Sequence, residues 1–134
     1  MPENFFLMNA DILTNLDFHH LHEFHSKNKF TISVVANRTS YQLSKGIIEH
    51  EGHQVLAVKE KPQFNYTYNA GIYMLKKNCL NSLKEEYLDM PDLINEYVGS
   101  QKVGIFPLFE YWRDLGIVED LIKAKEDIKN DFKR

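Results

Sequence analysis

The sequence predicts an α/β layered domain, and three features of its patterning carry that prediction. A short apolar run at residues 5–8 and a largely apolar, β-branched stretch at 30–36 read as strands buried in a sheet. Between them, and again towards the carboxyl end, apolar residues recur at helical spacing. One hairpin signal, centred on Gly52, interrupts the alternation. Strands alternating with helices indicate helices layered on a sheet.

The elements follow in order. Phe5, Phe6, Leu7 and Met8 lead into polar Asn9-Ala10-Asp11, the pattern of a strand covered on both faces. Asp17 is a good N-cap for a helix to about Ser26, with Phe18, Leu21 and Phe24 or His25 on one stripe. The β-branched run 30–36 is the next buried strand. Segments 47–50 and 55–58 flank Glu51-Gly52-His53-Gln54, where Gly52 supplies a positive φ for a hairpin turn. Residues 68–75 read as a strand, 77–87 and 91–98 as helices, the second with Pro91 in its first turn and Gly99 as its stop. Two short extended pieces follow, at 103–108 and 110–112. A final helix spans 118–132, with Leu121, Ile122, Ile128 and Phe132 on its apolar side.

Composition narrows the function. The 134 residues carry 16 Lys or Arg and 19 Asp or Glu, a net charge of −3, with the basic residues scattered; neither nucleic acid nor a membrane surface is indicated as a partner. With 43% hydrophobic residues the chain can bury a real core, and disorder is not expected. No repeat, linker or change of composition divides it, so a single domain is expected. A lone cysteine, Cys79, matches no metal-ligand spacing and reads as packed; with no apparent signal sequence and no apolar run long enough to span a membrane, a reducing, cytoplasmic setting is expected.

Several residues could carry chemistry, each with a plainer alternative. Asp11 lies beyond the carboxyl end of the first strand, where ligands gather in open sheets, and is a candidate Mg²⁺ ligand or a residue that orders its own loop. Asp114, in Tyr111-Trp112-Arg113-Asp114-Leu115-Gly116, is either a second acidic ligand or a turn residue before the last helix. In Lys59-Glu60-Lys61-Pro62, the proline should hold Lys61 extended, with Glu60 and Lys61 on opposite sides; these offer a sugar-hydroxyl acceptor and a phosphate cation, or alternating charges on a solvated edge. His19, His22 and His25 could share a helix face as metal ligands, or serve as solvated or capping groups, His25 being favoured near the helix C-terminus by its dipole. No GxGxxG, GxxxxGK or GxSxG occurs.

Four segments in order, Phe6-Leu7-Met8-Asn9-Ala10-Asp11-Ile12-Leu13, Glu60-Lys61-Pro62, Asn69-Ala70-Gly71-Ile72-Tyr73 and Tyr111-Trp112-Arg113-Asp114-Leu115-Gly116, resemble the sugar-phosphate nucleotidylyltransferases, and most of all the mannose-1-phosphate guanylyltransferases. The resemblance runs from Phe5 to about Ala124. It implies a Rossmann-like, doubly wound fold with a mixed, mainly parallel sheet and an inserted hairpin. It also implies transfer of a nucleotidyl group from a nucleoside triphosphate to a sugar 1-phosphate, releasing pyrophosphate, with Mg²⁺ as cofactor. Asp11 and Asp114 would be its ligands, Lys61 would hold the sugar phosphate, and Asn9, Glu60, Asn69 and Gly71 would line the sugar side. Ala10 stands where the family's motif usually has glycine, and Ile117 where threonine is common.

The family's glycine-rich nucleotide loop has no counterpart here, so the chain resembles the second half of the catalytic domain, truncated at the amino end. The expectation is that it does not turn over alone and that it self-associates as a homo-oligomer. A non-catalytic module binding a sugar phosphate or a protein is the alternative.

Overall fold

The computed structural model describes residues 2–81, 83 and 87–130. The chain forms two compact units, one of residues 1–36 with 69–134 and the other of residues 37–68. The elements are β1 (Asn4–Met8), β2 (Ile12–Thr14), α1 (Phe18–Asn28), β3 (Ile32–Gln42), β4 (Ile47–Glu51), β5 (Gln54–Lys59), β6 (Gln63–Lys76), a 3₁₀ turn (Lys77–Leu80), α2 (Met90–Val98), β7 (Val103–Pro107), β8 (Trp112–Asp114) and α3 (Val118–Asn130). Strands β3 and β6 each have residues in both units. No helix among the described residues is long and apolar enough to cross a membrane.

The first unit is built on a mixed four-stranded sheet, ordered β1-β6-β3-β7, in which β1 is antiparallel to β6 and β3 is parallel to β7. Alternation along β6 explains the layering. Ala70, Ile72 and Met74 point into one cluster with Ile12, Leu16, Leu21, Val35 and Leu108, while Tyr73 and Leu75 point into another with Ile32, Cys79 and Leu93. Helix α1 supplies Leu21 to the first cluster and α2 supplies Leu93 to the second, so helices cover both faces, as a doubly wound architecture requires.

Local signals account for the helix ends. The Asp17 carboxylate accepts from the His19 and His20 backbone N–H groups, and Lys29 closes α1 with a left-handed φ of 57°. Pro91 sits in the first turn of α2. Gly104 lies where β7 meets Phe30: a Cβ there would fall 2.3 Å from the phenyl ring.

Four expectations change. Strand β1 is not covered on both faces of a parallel sheet; it pairs antiparallel with β6 alone, and Phe6, Leu7 and Met8 remain partly exposed. An apolar run of four residues fixes neither partner nor direction. Strand β2 was absent from the pattern because three residues are too few to show alternation. The helix expected at 77–87 is a four-residue 3₁₀ turn at its start, with residues 82 and 84–86 outside the described set. On α3, Leu121, Ile122 and Ile128 stay exposed and Ala124 is the buried residue, while Phe132 lies outside the described set. Asp120 and Asp127 of that helix make polar contacts with Arg113 and Tyr111.

In the second unit, β4 and β5 form the predicted hairpin, with Gly52 at φ 55° in its turn and a bulge between Glu49 and His50. Lys59 is ion-paired with Glu49 across the two strands. The apolar clusters lie wholly in the first unit, and in the second Ile48, Val55, Leu56 and Val58 are all more than half exposed.

Candidate active site

The end of β1 approaches β6 with unusual closeness, and glycine is the reason. Asn9 N–H donates to the Gly71 carbonyl at 2.9 Å. Gly71 adopts φ 72°, which L side chains rarely take, and a Cβ there would lie 2.8 Å from Asn9 Nδ2. Asn69 secures this conformation: its Oδ1 accepts from Gly71 N–H at 2.9 Å and its Nδ2 donates to the Tyr73 hydroxyl at 2.7 Å. Trp112 Nε1–H donates to the Ala70 carbonyl at 2.8 Å, which ties β8 to the same corner. Asn9, Asn69 and Gly71 are thus brought together, with Asn69 acting first as a positioning residue for Gly71.

Asp11 and Asp114 converge from opposite ends of the sequence. Antiparallel β2 and β8 set Ile12 opposite Asp114, and Leu115 N–H donates to the Asp11 carbonyl at 2.7 Å. A Cβ on Gly116 would lie 3.0 Å from Asp114 Oδ1 and 3.7 Å from Asp11 Oδ2, so the two oxygens can be no farther apart than the sum of those distances. A side chain at Gly116 would crowd Asp114 Oδ1. Asp114 Oδ1 also accepts from Gly116 N–H at 2.8 Å, so the turn role and the ligand role fall on one residue. Both carboxylates are exposed.

That donor set suits a hard divalent cation: Mg²⁺ takes one or two protein carboxylates and completes its shell with water and phosphate oxygens. Among the described residues, no group of three or more His, Cys, Asp or Glu is arranged to hold a metal. A cation here would draw its remaining ligands from solvent and substrate.

Glu60 and Lys61 belong to the second unit. The extended conformation expected for Lys61 is not found: its φ is 44°, in the left-handed region. The chain bends at Glu60 and Lys61, and Leu43 N–H donates to the Pro62 carbonyl at 3.1 Å, so contacts from a distant segment act where the residue before proline would otherwise be extended. Gly46 faces Glu60, whose Oε2 would stand 3.1 Å from a Cβ there.

The histidines do not share an exposed face. His19 meets Glu23 and His20 meets Asp17 on the surface, whereas His25 is fully buried with Nδ1 2.9 Å from Ser33 Oγ. Burial, reinforced by the charges of Lys76 and His22, pushes the His25 pKa down to about 4, so desolvation outweighs the helix dipole expected to favour its cation. Burial likewise pushes the Cys79 thiol up, away from nucleophilic use.

Sequence reasoning overlooked one cluster. The Arg113 guanidinium donates to Asp127 at 2.8 Å and to the Tyr111 hydroxyl at 3.0 Å, and pairs with Asp120 at 3.3 Å; Tyr111 donates to Asp127 at 2.7 Å. The Tyr111 hydrogen bond, then that of Arg113, holds the Asp127 carboxyl below its usual range. Asp120 and Asp127, seven residues apart on α3, lie on one helix face, which was the available signal. Through this cluster β8, and with it Asp114, is fixed against α3.

Comparison with known proteins gives the family. The sequence profile of the nucleotidyl transferase family matches residues 1–131. Mannose-1-phosphate guanyltransferase of Yarrowia lipolytica is 27% identical over 126 residues, covering 90% of this chain and 34% of that protein. Mannose-1-phosphate guanylyltransferase of Mycobacterium tuberculosis is 26% identical over 131 residues, covering 91% of this chain and 36% of that protein. Glucose-1-phosphate adenylyltransferase of Bacillus cereus is 24% identical over 97% of this chain and 38% of that protein. In fold, the chain resembles HddC from Yersinia pseudotuberculosis, solved as a complex with GMP-PN, with a TM-score of 0.62 at 20% identity over 95% of this chain and 56% of that one. The chain therefore spans little more than a third of the length of these curated relatives. Its relatives are sugar-1-phosphate nucleotidyltransferases, and the chain belongs to the nucleotidyl transferase family.

Proposed function

We propose that this chain carries the sugar-phosphate side of a nucleotidyl transfer site, which joins a sugar 1-phosphate to the nucleotidyl group of a nucleoside triphosphate and releases pyrophosphate. The observation that carries the reading is the approach of the Asp11 and Asp114 carboxylates to one open point beside Gly116. Two adjacent negative groups repel unless a cation lies between them, and Mg²⁺ bound there would neutralise phosphate charge. The protein's own part is positional. The β2–β8 pairing and the Arg113 cluster fix the two carboxylates, while Gly71 and Asn69 set the Asn9 amide as a donor for a sugar hydroxyl. Lys61 and Glu60 enter by their chemistry, a cation for the sugar phosphate and an acceptor for a hydroxyl. A GDP-sugar is the product favoured, because guanyltransferases are prominent among the relatives. With no glycine-rich phosphate loop in its sequence, this chain is not expected to turn over alone.

Calorimetry of the pure protein with mannose 1-phosphate, with and without Mg²⁺, tests this. A metal-dependent heat, lost in both Asp11→Ala and Asp114→Ala, supports the half-site. Metal-independent binding unchanged in both variants would instead mark a non-catalytic module, and pyrophosphate release by this chain with nucleoside triphosphate present would overturn the expected inactivity.

A further inference from the structure

We propose that strand β1 is a self-pairing edge, along which two copies of this chain join in antiparallel register to form one continuous sheet. β1 ends the sheet order β1-β6-β3-β7, and among the described residues no strand pairs with its other side. The hydrogen-bond register shows which groups that leaves open. Asn9 N–H donates to the Gly71 carbonyl and Lys77 N–H to the Glu3 carbonyl, so in this antiparallel ladder Phe5 and Leu7 also bond to β6, while the N–H and C=O of Asn4, Phe6 and Met8 point outward.

Exposed edges are ordinarily blunted by charge, proline or a bulge. Asn4-Phe5-Phe6-Leu7-Met8 has none of these. Its side chains leave apolar surface on both faces of the sheet. On one face Phe6 packs edge-on against Phe18 yet stays 42% exposed, beside Met8 at 44%. On the other, Leu7 is 41% exposed and, with Phe5, Leu80, Leu83 and Leu88, walls a cavity of about 340 Å³ whose lining is apolar apart from Asp89. What covers this edge must therefore be an extended strand with apolar residues on both of its faces.

β1 is itself such a strand, and it is complementary to itself. Antiparallel pairing about Phe6 sets Asn4 opposite the partner's Met8 and Phe6 opposite its own counterpart, so each outward donor meets an outward acceptor. The two-fold axis then stands perpendicular to the sheet, and each face continues into the same face of the partner. Phe6 meets its counterpart on one side, and Phe5 and Leu7 meet theirs on the other, beside the leucine-lined cavities. The nearest charge, Glu3, falls opposite the partner's Asn9, so no like charges are opposed.

The test is sedimentation of the full chain from micromolar to millimolar concentration, paired with amide hydrogen exchange by ¹⁵N NMR. A monomer–dimer equilibrium is expected, with exchange at Asn4, Phe6 and Met8 slowing as the dimer fills and Phe5 and Leu7 protected throughout. Leu7→Lys sets like charges across the seam and should weaken dimerisation about tenfold or more, with Phe5 protection retained. An equimolar mixture of Leu7→Lys and Leu7→Glu should associate again, since opposite charges then face each other. If the variants fail to fold, the exchange pattern of the native chain decides the proposal by itself. It is overturned if the native chain stays monomeric at millimolar concentration, if dimers form while Asn4, Phe6 and Met8 exchange independently of concentration, or if folded Leu7→Lys dimerises as the native chain does.

Discussion

Mild acidification should destabilise this protein through the buried side chain of His25. It is fully buried on α1 against Ser33 of β3, its Nε2 has no hydrogen-bond partner among the described residues, and burial pushes its pKa down from an ordinary 6.5 to about 4. Because the folded pKa is depressed, the unfolded chain takes up a proton first as pH falls. Stability is therefore intact above pH 6.5, declines as pH drops through that value, and levels off below about 4, where both states are protonated. At about 1.4 kcal/mol per tenfold change in protonation, the full loss is roughly 3 kcal/mol, of which about 2 is reached by pH 5. That is a large part of the stability of a typical domain, about 5–15 kcal/mol. Urea unfolding at pH 7.5 and pH 5, compared between the native chain and His25→Gln, isolates the effect, since carboxylates such as Asp17 and Asp127 titrate in both. The native chain should lose about 2 kcal/mol more than the variant. Superimposable pH profiles, or a His25 ring resonance that titrates near 6.5, would refute the reasoning.

Two substitutions probe the close approaches made by glycine. Gly104→Ala would set a methyl 2.3 Å from the Phe30 ring, so a loss of about 1–3 kcal/mol is expected in the same urea assay, and an unchanged midpoint would mean that the ring moves freely aside. Gly71→Ala combines a φ of 72° with a 2.8 Å approach to Asn9 Nδ2; it should cost about 1–2 kcal/mol and also displace the Asn9 amide resonance, whereas loss of stability without that displacement would separate Gly71 from the proposed sugar side.

The sequence alone determined what depends on neighbours along the chain. Asp17 capping α1, Gly52 in the hairpin, Pro91 opening α2 and the apolar cores of β3 and β6 were all legible, because caps, turns and periodicity act over a few residues. Asp11 and Asp114 were legible as candidates by resemblance, but 103 positions separate them. Only the pairing of β2 with β8, two three-residue strands with no periodicity to read, brings their carboxylates to one point. The same holds for His25, whose place on a helical stripe allowed either surface or core until packing against Ser33 buried it, and for Lys61, whose left-handed φ departs from the extended backbone that Pro62 favours. Tertiary structure decided these because contacts between distant segments and the removal of water are properties of the assembled layers, and no short window of sequence contains them.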